Sequence, residues 1–310
     1  MLLKKRVAPA AHWLAYVSGL STALSKRQEC ARILMFLGVD SDGAKVFASQ
    51  IEYLAAHFDI VSLDAALERL RAQAPPARRE VVLTFDDGLR NNYTVVYPIL
   101  KRLGVPATYF VCPGLVESGR WLWNHDARER LRALTSSQRA VVCASIKSPE
   151  SEVEDILEWM KTLDPVRRGG GEDAIRSATP GFEPTSLQRE RFDVMRWNEL
   201  AALDPDLITI GSHTVTHPIL TTLDHSALVF EIQESRRWLE RRLGRAVEHF
   251  CYPSGAYNAA VIGCVRDCYR SAVAATEAGV VAGDDRYCLH RIPSAGDVPL
   301  LAWRLHRPEA

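Results

Sequence analysis

Apolar positions along the chain fall into two periods that alternate, short continuous runs and longer stretches with helical spacing. Residues 31–39 (ARILMFLGV) form a continuous apolar run, the pattern of a strand buried on both faces. Residues 44–58 then place Val46, Phe47, Ile51, Leu54 and Phe58 at helical spacing, and Ser62 is positioned to cap a further helix carrying Ala66, Leu67 and Leu70. A polar linker at 72–80 with Pro75-Pro76 leads into a second buried strand, 81–85, which stops at Asp86-Asp87-Gly88. A helix is expected over 93–103, with Pro98 marking a kink or a start nearer Tyr97 and Gly104 ending it, followed by a β-rich stretch at 107–111.

Residues 118–192 break this rhythm. Charged helical stretches at 127–134 and 152–163 surround Gly169-Gly170-Gly171, read as flexible, and the prolines Pro180 and Pro184, so the segment is expected to be an insertion. Regularity returns with a helix at 197–203, a strand at 207–210 ending in Gly211, a long helix at 223–243, a strand at 247–252, a helix at 259–268, and short strands near Ala272 and at 289–292. Strand alternating with helix is the signature of parallel α/β construction, a barrel or an open sheet.

At the N-terminus, Lys4, Lys5 and Arg6 precede an apolar stretch in which Trp13, Val17, Leu20 and Leu24 recur at near-helical spacing. His12, Ser18, Ser21 and Thr22 interrupt it, unlike a secretory signal, and it falls short of the ~18 continuous apolar residues of a spanning helix. Residues 1–30 are therefore read as an amphipathic helical segment that docks on the body or rests on a membrane surface, and residues 31–310 as the main domain.

Composition narrows the function classes. With 310 residues, 47% of them hydrophobic and 25% charged, a sizeable core is available and disorder is disfavoured. Lys plus Arg equals Asp plus Glu at 38 each, so no long-range positive field draws the chain to nucleic acid or to an anionic membrane, and only local patches could. Seven cysteines, an odd number scattered through apolar stretches, argue against a disulfide framework and fit a reducing, cytoplasmic location. Cys264 and Cys268, four apart, read as one face of an amphipathic helix rather than a metal clip.

The candidate chemistry sits where two apolar runs end, VVLTFDDG at 81–88 and LITIGSHTVTH at 207–217. The C-terminal strand ends of an α/β barrel share one rim, so the two clusters converge in space. His213 and His217, four apart, would share one helical turn and hold one ion, with Asp87 as the third ligand and a position left open for water. Consecutive side chains at a strand end project differently, so one acid of the Asp86-Asp87 pair binds metal while the other faces the water. A metal lowers the pKa of its water to ~7, and the second carboxylate takes the proton as an amide carbonyl is attacked.

TFDDG (84–88) and SHTVTH (212–217) resemble the first two motifs of the polysaccharide deacetylase family, also called the NodB-homology or carbohydrate esterase 4 family. The resemblance covers residues 32–113 and 194–293, and 118–192 loosely or not at all. It implies a distorted (β/α)7-type barrel, here with a largely helical insertion, a divalent ion, usually zinc, and hydrolysis of N-acetyl groups on a carbohydrate substrate. Under it Asp86 is the general base, and Asp87, His213 and His217 are the metal ligands.

FCYPSG (250–255) is similar to the family's third motif, whose Pro-Tyr pair lines the groove. Pro253 is kept, Ser254 stands at the Tyr position and could still offer a backbone N–H to the oxyanion, and Cys251 stands where an Arg usually braces the base. Arg291 could reach Asp86 instead, and His290 could protonate the leaving amine, as a family His does. Phe36-Leu37 replaces a common Tyr-His pair, and no Asp-rich fourth motif is evident. Tyr252, Tyr257, Trp121, Trp123 and Trp197 are candidates for stacking on sugar rings.

The expectation is a metal-dependent N-deacetylase of an amino sugar or polysaccharide precursor in exopolysaccharide or cell-envelope biosynthesis, cytoplasmic or membrane-peripheral. Its rivals are a same-fold hydrolase of a non-sugar amide or cyclic imide, and a non-catalytic carbohydrate-binding barrel.

Overall fold

The computed structural model describes residues 2–72 and 80–306, with side chains from residue 9 onward. Eight strands form one sheet: β1 (Arg32–Phe36), β2 (Asp59–Val61), β3 (Glu80–Phe85), β4 (Ala107–Val111), β5 (Ile208–Ser212), β6 (His249–Cys251), β7 (Ser271–Val273) and β8 (Ile292–Pro293). Their order is β7-β6-β5-β4-β3-β1-β8, with β2 against the first half of β3, and every pairing is parallel. The sheet curls into a partial barrel whose two ends are tied by a parallel bridge between Val273 and Leu289. This is the distorted α/β barrel that the motifs imply, and its parallel strands deliver their C-terminal ends to one rim.

β1, β3 and β4 are almost wholly buried, as their continuous apolar runs require of strands covered on both faces. Phe36 stacks on Phe85 with centroids 4.9 Å apart, and Tyr109 meets Phe85 edge-on at 5.2 Å. The helices cover the sheet much as their spacing predicts: Ala44–His57 buries Phe47, Ile51 and Leu54, and Leu63–Arg71 starts at Ser62, whose hydroxyl accepts from Ala65 N at 3.2 Å. The expected linker around Pro75-Pro76 lies outside the described residues.

Of the two readings of Pro98, a kink or a helix start near Tyr97, the start is the one observed. A π-type turn at Asn92–Val96 hands over to an α-helix at Tyr97–Leu103, so Pro98 occupies the first turn, where a missing N–H is harmless.

The insertion is five helices, Trp123–Ala133, Ser136–Ile146, Val153–Lys161, Pro165–Ser177 and Ser186–Phe192, four of them packed around an apolar cluster of their own that includes Trp123, Leu131, Ile156, Met160 and Ile175. Gly169-Gly170-Gly171, expected to be a flexible break, lies inside Pro165–Ser177. Asp164 caps that helix through Arg167 N and Pro165 opens it, while Gly171 packs where an added Cβ would come within 3.2 Å of Met160. Start signals and tertiary packing outweigh the ~1 kcal/mol that each glycine costs a helix.

The N-terminal segment is two helices rather than one, Leu2–Val17 and Leu20–Ser25, parted by Gly19 at φ 73°. They dock on the barrel and on the last helix, Val298–His306: the His12 and Trp303 rings are 4.8 Å apart, and Thr22 Oγ1 and Tyr53 OH share a 2.7 Å hydrogen bond. Buried Arg32 donates to the Leu305 carbonyl at 2.7 Å, fastening β1 to the C-terminal helix. No helix among the described residues is long and apolar enough to cross a membrane.

Candidate active site

Asp86 and Asp87 follow directly on β3. Asp86 N donates to Phe36 O at 2.9 Å, continuing the ladder with β1, and the chain then turns through Asp87 at φ 71° and Gly88 at φ 63°. A side chain at Gly88 would press on Val111 of β4, with Cβ only 3.2 Å from Cγ1. The turn therefore needs glycine at that place, and it swings Asp87 to a different direction from Asp86.

On β5, His213 N still donates to Val111 O at 3.0 Å, after which the chain leaves the sheet. The expected helical turn carrying His213 and His217 does not form. Thr214 and His217 have φ of 68° and 60°, and residues 213–217 make a loop whose backbone is held by one carboxylate. Buried Glu231 accepts from Val215 N at 2.7 Å, Thr216 N at 2.9 Å and Thr216 Oγ1 at 2.6 Å, and His217 N donates to Thr214 Oγ1 at 3.0 Å. Of the five non-glycine residues with positive φ among those described, Asp87, Thr214, His217 and Ser254 all lie in these rim loops. Strained backbone is thus concentrated where the candidate ligands are presented.

The two clusters meet. Asp87 Oδ1 lies 3.4 Å from His213 Nε2 and 3.5 Å from His217 Nε2, with all three residues buried. His213 Nδ1 sits 2.8 Å from the Cys251 carbonyl, an acceptor only, so Nδ1 carries a proton and Nε2 is the ring atom turned toward Asp87. His217 Nδ1 is buried with no partner. Burial drives the His217 pKa down to about 3, reinforced by His213; burial also opposes protonation of His213, but Cys251 and Asp87 outweigh it and hold that ring well above its usual range. Asp87 is brought down to about 2, burial being outweighed by the two imidazoles. Two imidazole nitrogens converging on one carboxylate oxygen, in a pocket that cannot protonate both rings, is a donor set suited to one divalent cation. Asp87, His213 and His217 fit such an ion.

Asp86 brings a carboxylate oxygen within 4.8 Å of a His213 ring nitrogen and is clamped by Arg291, whose Nη1 reaches Oδ1 at 2.7 Å and Nη2 reaches Oδ2 at 2.8 Å. Arg291 also donates to Ala274 O, to Thr84 Oγ1 and to Cys251 Sγ at 3.2 Å, and is fully buried; Asp86 raises its pKa against the effect of burial. The small Cys251 side chain leaves the guanidinium its place, so the arginine enters from the chain before β8 instead of from β6.

A cavity of about 230 Å³ opens over these groups, lined by Asp86, Asp87, His213, His217 and Arg291, with Tyr252 and Ser254 from the 250–255 stretch. Ser254, in a left-handed conformation at φ 54°, is exposed at its edge. Tyr252 is a buried wall, its hydroxyl donating to Tyr287 O at 2.8 Å, and so offers no free face for a sugar. Pro253, Tyr257, Trp121, Trp123 and Trp197 do not line the cavity: Tyr257 packs on Tyr252, and Trp123 belongs to the insertion's own core. His290 does not line it either, because the inward place on that stretch is taken by Arg291.

The imidazole that does line it comes from the insertion. His125, near the start of Trp123–Ala133, places Nε2 4.0 Å from Asp87 Oδ2 and stacks on Phe192 at 4.6 Å. Arg128 Nη1 stands 3.2 Å from its Nδ1, and since arginine can only donate, Nδ1 accepts and Nε2 carries the hydrogen. That N–H is buried without a partner, and burial lowers the ring's pKa, so it faces the cavity as a neutral donor. The chain leaving the insertion is stitched to the motif loop as well: Arg90 N donates to Asp193 O and Met195 N to Gly88 O, and Trp121 of the insertion donates to Asp193 Oδ1. A second cavity of about 400 Å³, walled by Leu37, Phe47, Asn91, Arg191 and Phe192, adjoins the first through Leu37 and His125.

Comparison with known proteins gives the family and the fold. A family model described as polysaccharide deacetylase matches residues 73–272. A Bacillus subtilis (strain 168) protein named as a candidate polysaccharide deacetylase, YxkH, is 31% identical over 85 residues, covering 26% of this chain and 30% of that protein's length. Among solved structures, the Streptococcus pyogenes deacetylase PplD in complex with acetate superposes with a TM-score of 0.59 at 19% identity, over 88% of this chain and 98% of that one. IcaB from Ammonifex degensii gives 0.59 at 17% identity, over 89% and 98%. The BpsB deacetylase domain from Bordetella bronchiseptica gives 0.56 at 13% identity, over 86% and 96%. At these identities the likeness is one of fold.

Proposed function

This chain belongs to the polysaccharide deacetylase family, and from that premise we propose that it is a metal-dependent hydrolase removing N-acetyl groups from an amino sugar of a polysaccharide or its precursor. The observation that carries the reading is the adjacency of two differently equipped acids: Asp87 between two imidazole nitrogens, and Asp86 held by both oxygens on Arg291. A divalent ion at Asp87, His213 and His217, zinc being the one best suited to these nitrogen and oxygen donors, would supply Lewis acidity to the acetamido carbonyl and to a water.

The chain's own groups do the rest. Asp86 is the base: Arg291 takes one lone pair on each carboxylate oxygen and fixes the plane of the group, leaving a second lone pair to accept the proton of an attacking water. Ser254, at the cavity edge, offers its backbone N–H to the oxygen that becomes negative. His125 faces the reacting amide from the insertion as a fixed N–H donor, on the side of the cavity where Leu37 brings no polar group. The adjoining cavity gives the rest of the saccharide a place to lie, so residues 31–310 act as one catalytic domain in which 118–192 is part of the site. All seven cysteines are free, which supports work in a reducing compartment, the cytoplasm or its membrane face.

The test is acetate release from N-acetylglucosamine oligomers and from lipid- or nucleotide-linked N-acetylated precursors. Release should stop with a chelator, return on adding zinc, and be absent in Asp87→Ala; release that survives both treatments removes the metal from the reading, and turnover of non-sugar amides alone removes the carbohydrate.

A further inference from the structure

The two N-terminal helices are packed inside out relative to their composition. Leu2–Val17 turns Ala15, His12 and Tyr16 toward the body, while Trp13, Leu14 and Val17 are each more than half exposed, at 55%, 59% and 53%. At 100° per residue those three occupy a single arc, with Ala10 within it and also exposed. Leu20–Ser25 repeats the inversion: Ser21 and Ser25 are fully buried, whereas Leu20 and Leu24, four apart and about 100° round the helix from them, are 53% and 37% exposed. Five of the large exposed apolar side chains thus crowd into twelve residues, on helices whose other sides are already engaged by the barrel and by Val298–His306.

Charge supplies the direction. The first 28 residues contain Lys4, Lys5, Arg6, Lys26 and Arg27 and no Asp or Glu, in a chain whose total formal charge is zero, so the remainder is net acidic. Basic groups therefore stand at both ends of the apolar stretch. Tryptophan and leucine outward with lysine and arginine flanking them is the arrangement that sits in the headgroup region of an anionic bilayer, the apolar side chains entering the acyl boundary and the cations meeting phosphate. A protein partner would have to bury the same stripe while matching five positive charges.

We infer that this outer face is a docking surface for an anionic lipid bilayer, which would hold the barrel at the membrane without a spanning helix. The inference is independent of the chemistry at Asp86 and Asp87. Its closing experiment is cosedimentation of the full chain with vesicles of phosphatidylglycerol and phosphatidylethanolamine, beside neutral phosphatidylcholine vesicles. The chain should partition onto the anionic vesicles, weaken with added salt, and lose about ten-fold or more of its binding in the variant Leu14→Ser, Val17→Ser, Leu20→Ser, Leu24→Ser. That variant should keep its melting temperature and its acetate release from soluble substrate, since the four positions touch neither the core nor the cavity. As a second measurement, brominated anionic vesicles should quench the wild-type fluorescence more than that of Trp13→Phe. Equal binding by wild type and variant, wild type left in the supernatant at low salt, equal quenching, or a wild-type dimer that the variant dissolves would each overturn the inference, the last by assigning the face to a second copy.

Discussion

Arg291 grips Asp86 through both carboxylate oxygens, at 2.7 and 2.8 Å, across 205 positions of sequence and with both groups buried. Two parallel N–H donors fix the plane of a carboxylate in a way that a lysine ammonium cannot. Arg291→Lys should therefore lower kcat with little change in KM. Asp86→Asn should cost about 10²- to 10⁴-fold in kcat, the range of a positioned proton acceptor. Steady-state kinetics on an N-acetylated oligosaccharide would read both, and a fully active Asp86→Asn enzyme would remove Asp86 as base. Arg291→Ala should in addition destabilise the fold by about 3–5 kcal/mol, because it strands a buried carboxylate.

Glu231 touches no candidate ligand side chain, yet its carboxylate holds Val215 N, Thr216 N and the Thr216 hydroxyl, the loop on which His217 is presented. Glu231→Leu removes the acceptor of all three groups, whereas Gln would keep a carbonyl oxygen for the two N–H groups that share Oε2. The expected result is a zinc affinity about 10- to 100-fold weaker, as for other supports of a metal ligand, measured by competition with a chromogenic chelator. Unchanged affinity would mean that the loop holds its shape without Glu231.

His125 sits beside Asp87 as an unpartnered N–H donor. His125→Ala should reduce kcat/KM for the N-acetyl substrate by about ten- to a hundred-fold, the worth of one buried hydrogen bond. Metal content should stay the same, and His125→Gln, which keeps an N–H, should recover part of the loss. Lost metal in His125→Ala would instead make the residue a support for Asp87.

Stability of the metal-free protein should fall in acid. His217 is depressed from 6.5 to about 3, so its contribution is complete above pH 6.5 and disappears as pH drops toward 3; Asp87, depressed from 3.8 to about 2, extends the loss below that. His213, held above its usual range, contributes fully below 6.5 and adds no slope in this window. One extra proton taken up on unfolding gives a slope of at most about 1.4 kcal/mol per pH unit. Urea unfolding of the chelated protein between pH 7 and pH 4 should show it, and His217→Asn should flatten it. The same slope in both proteins would place the titration elsewhere.

Much of this molecule is legible along the chain because it is local. Continuous apolar runs mark β1, β3 and β4, Ser62 and Gly104 mark where helices begin and end, and the D-D-G and S-H-T-V-T-H clusters mark the strand ends that carry chemistry. Local signals misread what packing decides. Three consecutive glycines imply a break, but Asp164, Pro165 and the contact of Gly171 with Met160 keep them helical; His213 and His217 have helical spacing, but Glu231 holds them on a loop. His125 carried no motif at all, and only the docking of the insertion against the 88–90 turn brings it to Asp87.

The division follows from the range of the forces involved. Hydrophobic period, caps and turn residues act over a few positions, so the amino-acid order alone determined the parallel α/β framework and which strand ends bear acids and imidazoles. Which oxygen meets which nitrogen depends on side chains arriving from remote segments and on burial that makes each pairing strong. Arg291 on Asp86, the Cys251 carbonyl on His213 and the outward face of the N-terminal helices were therefore decided only when the barrel closed.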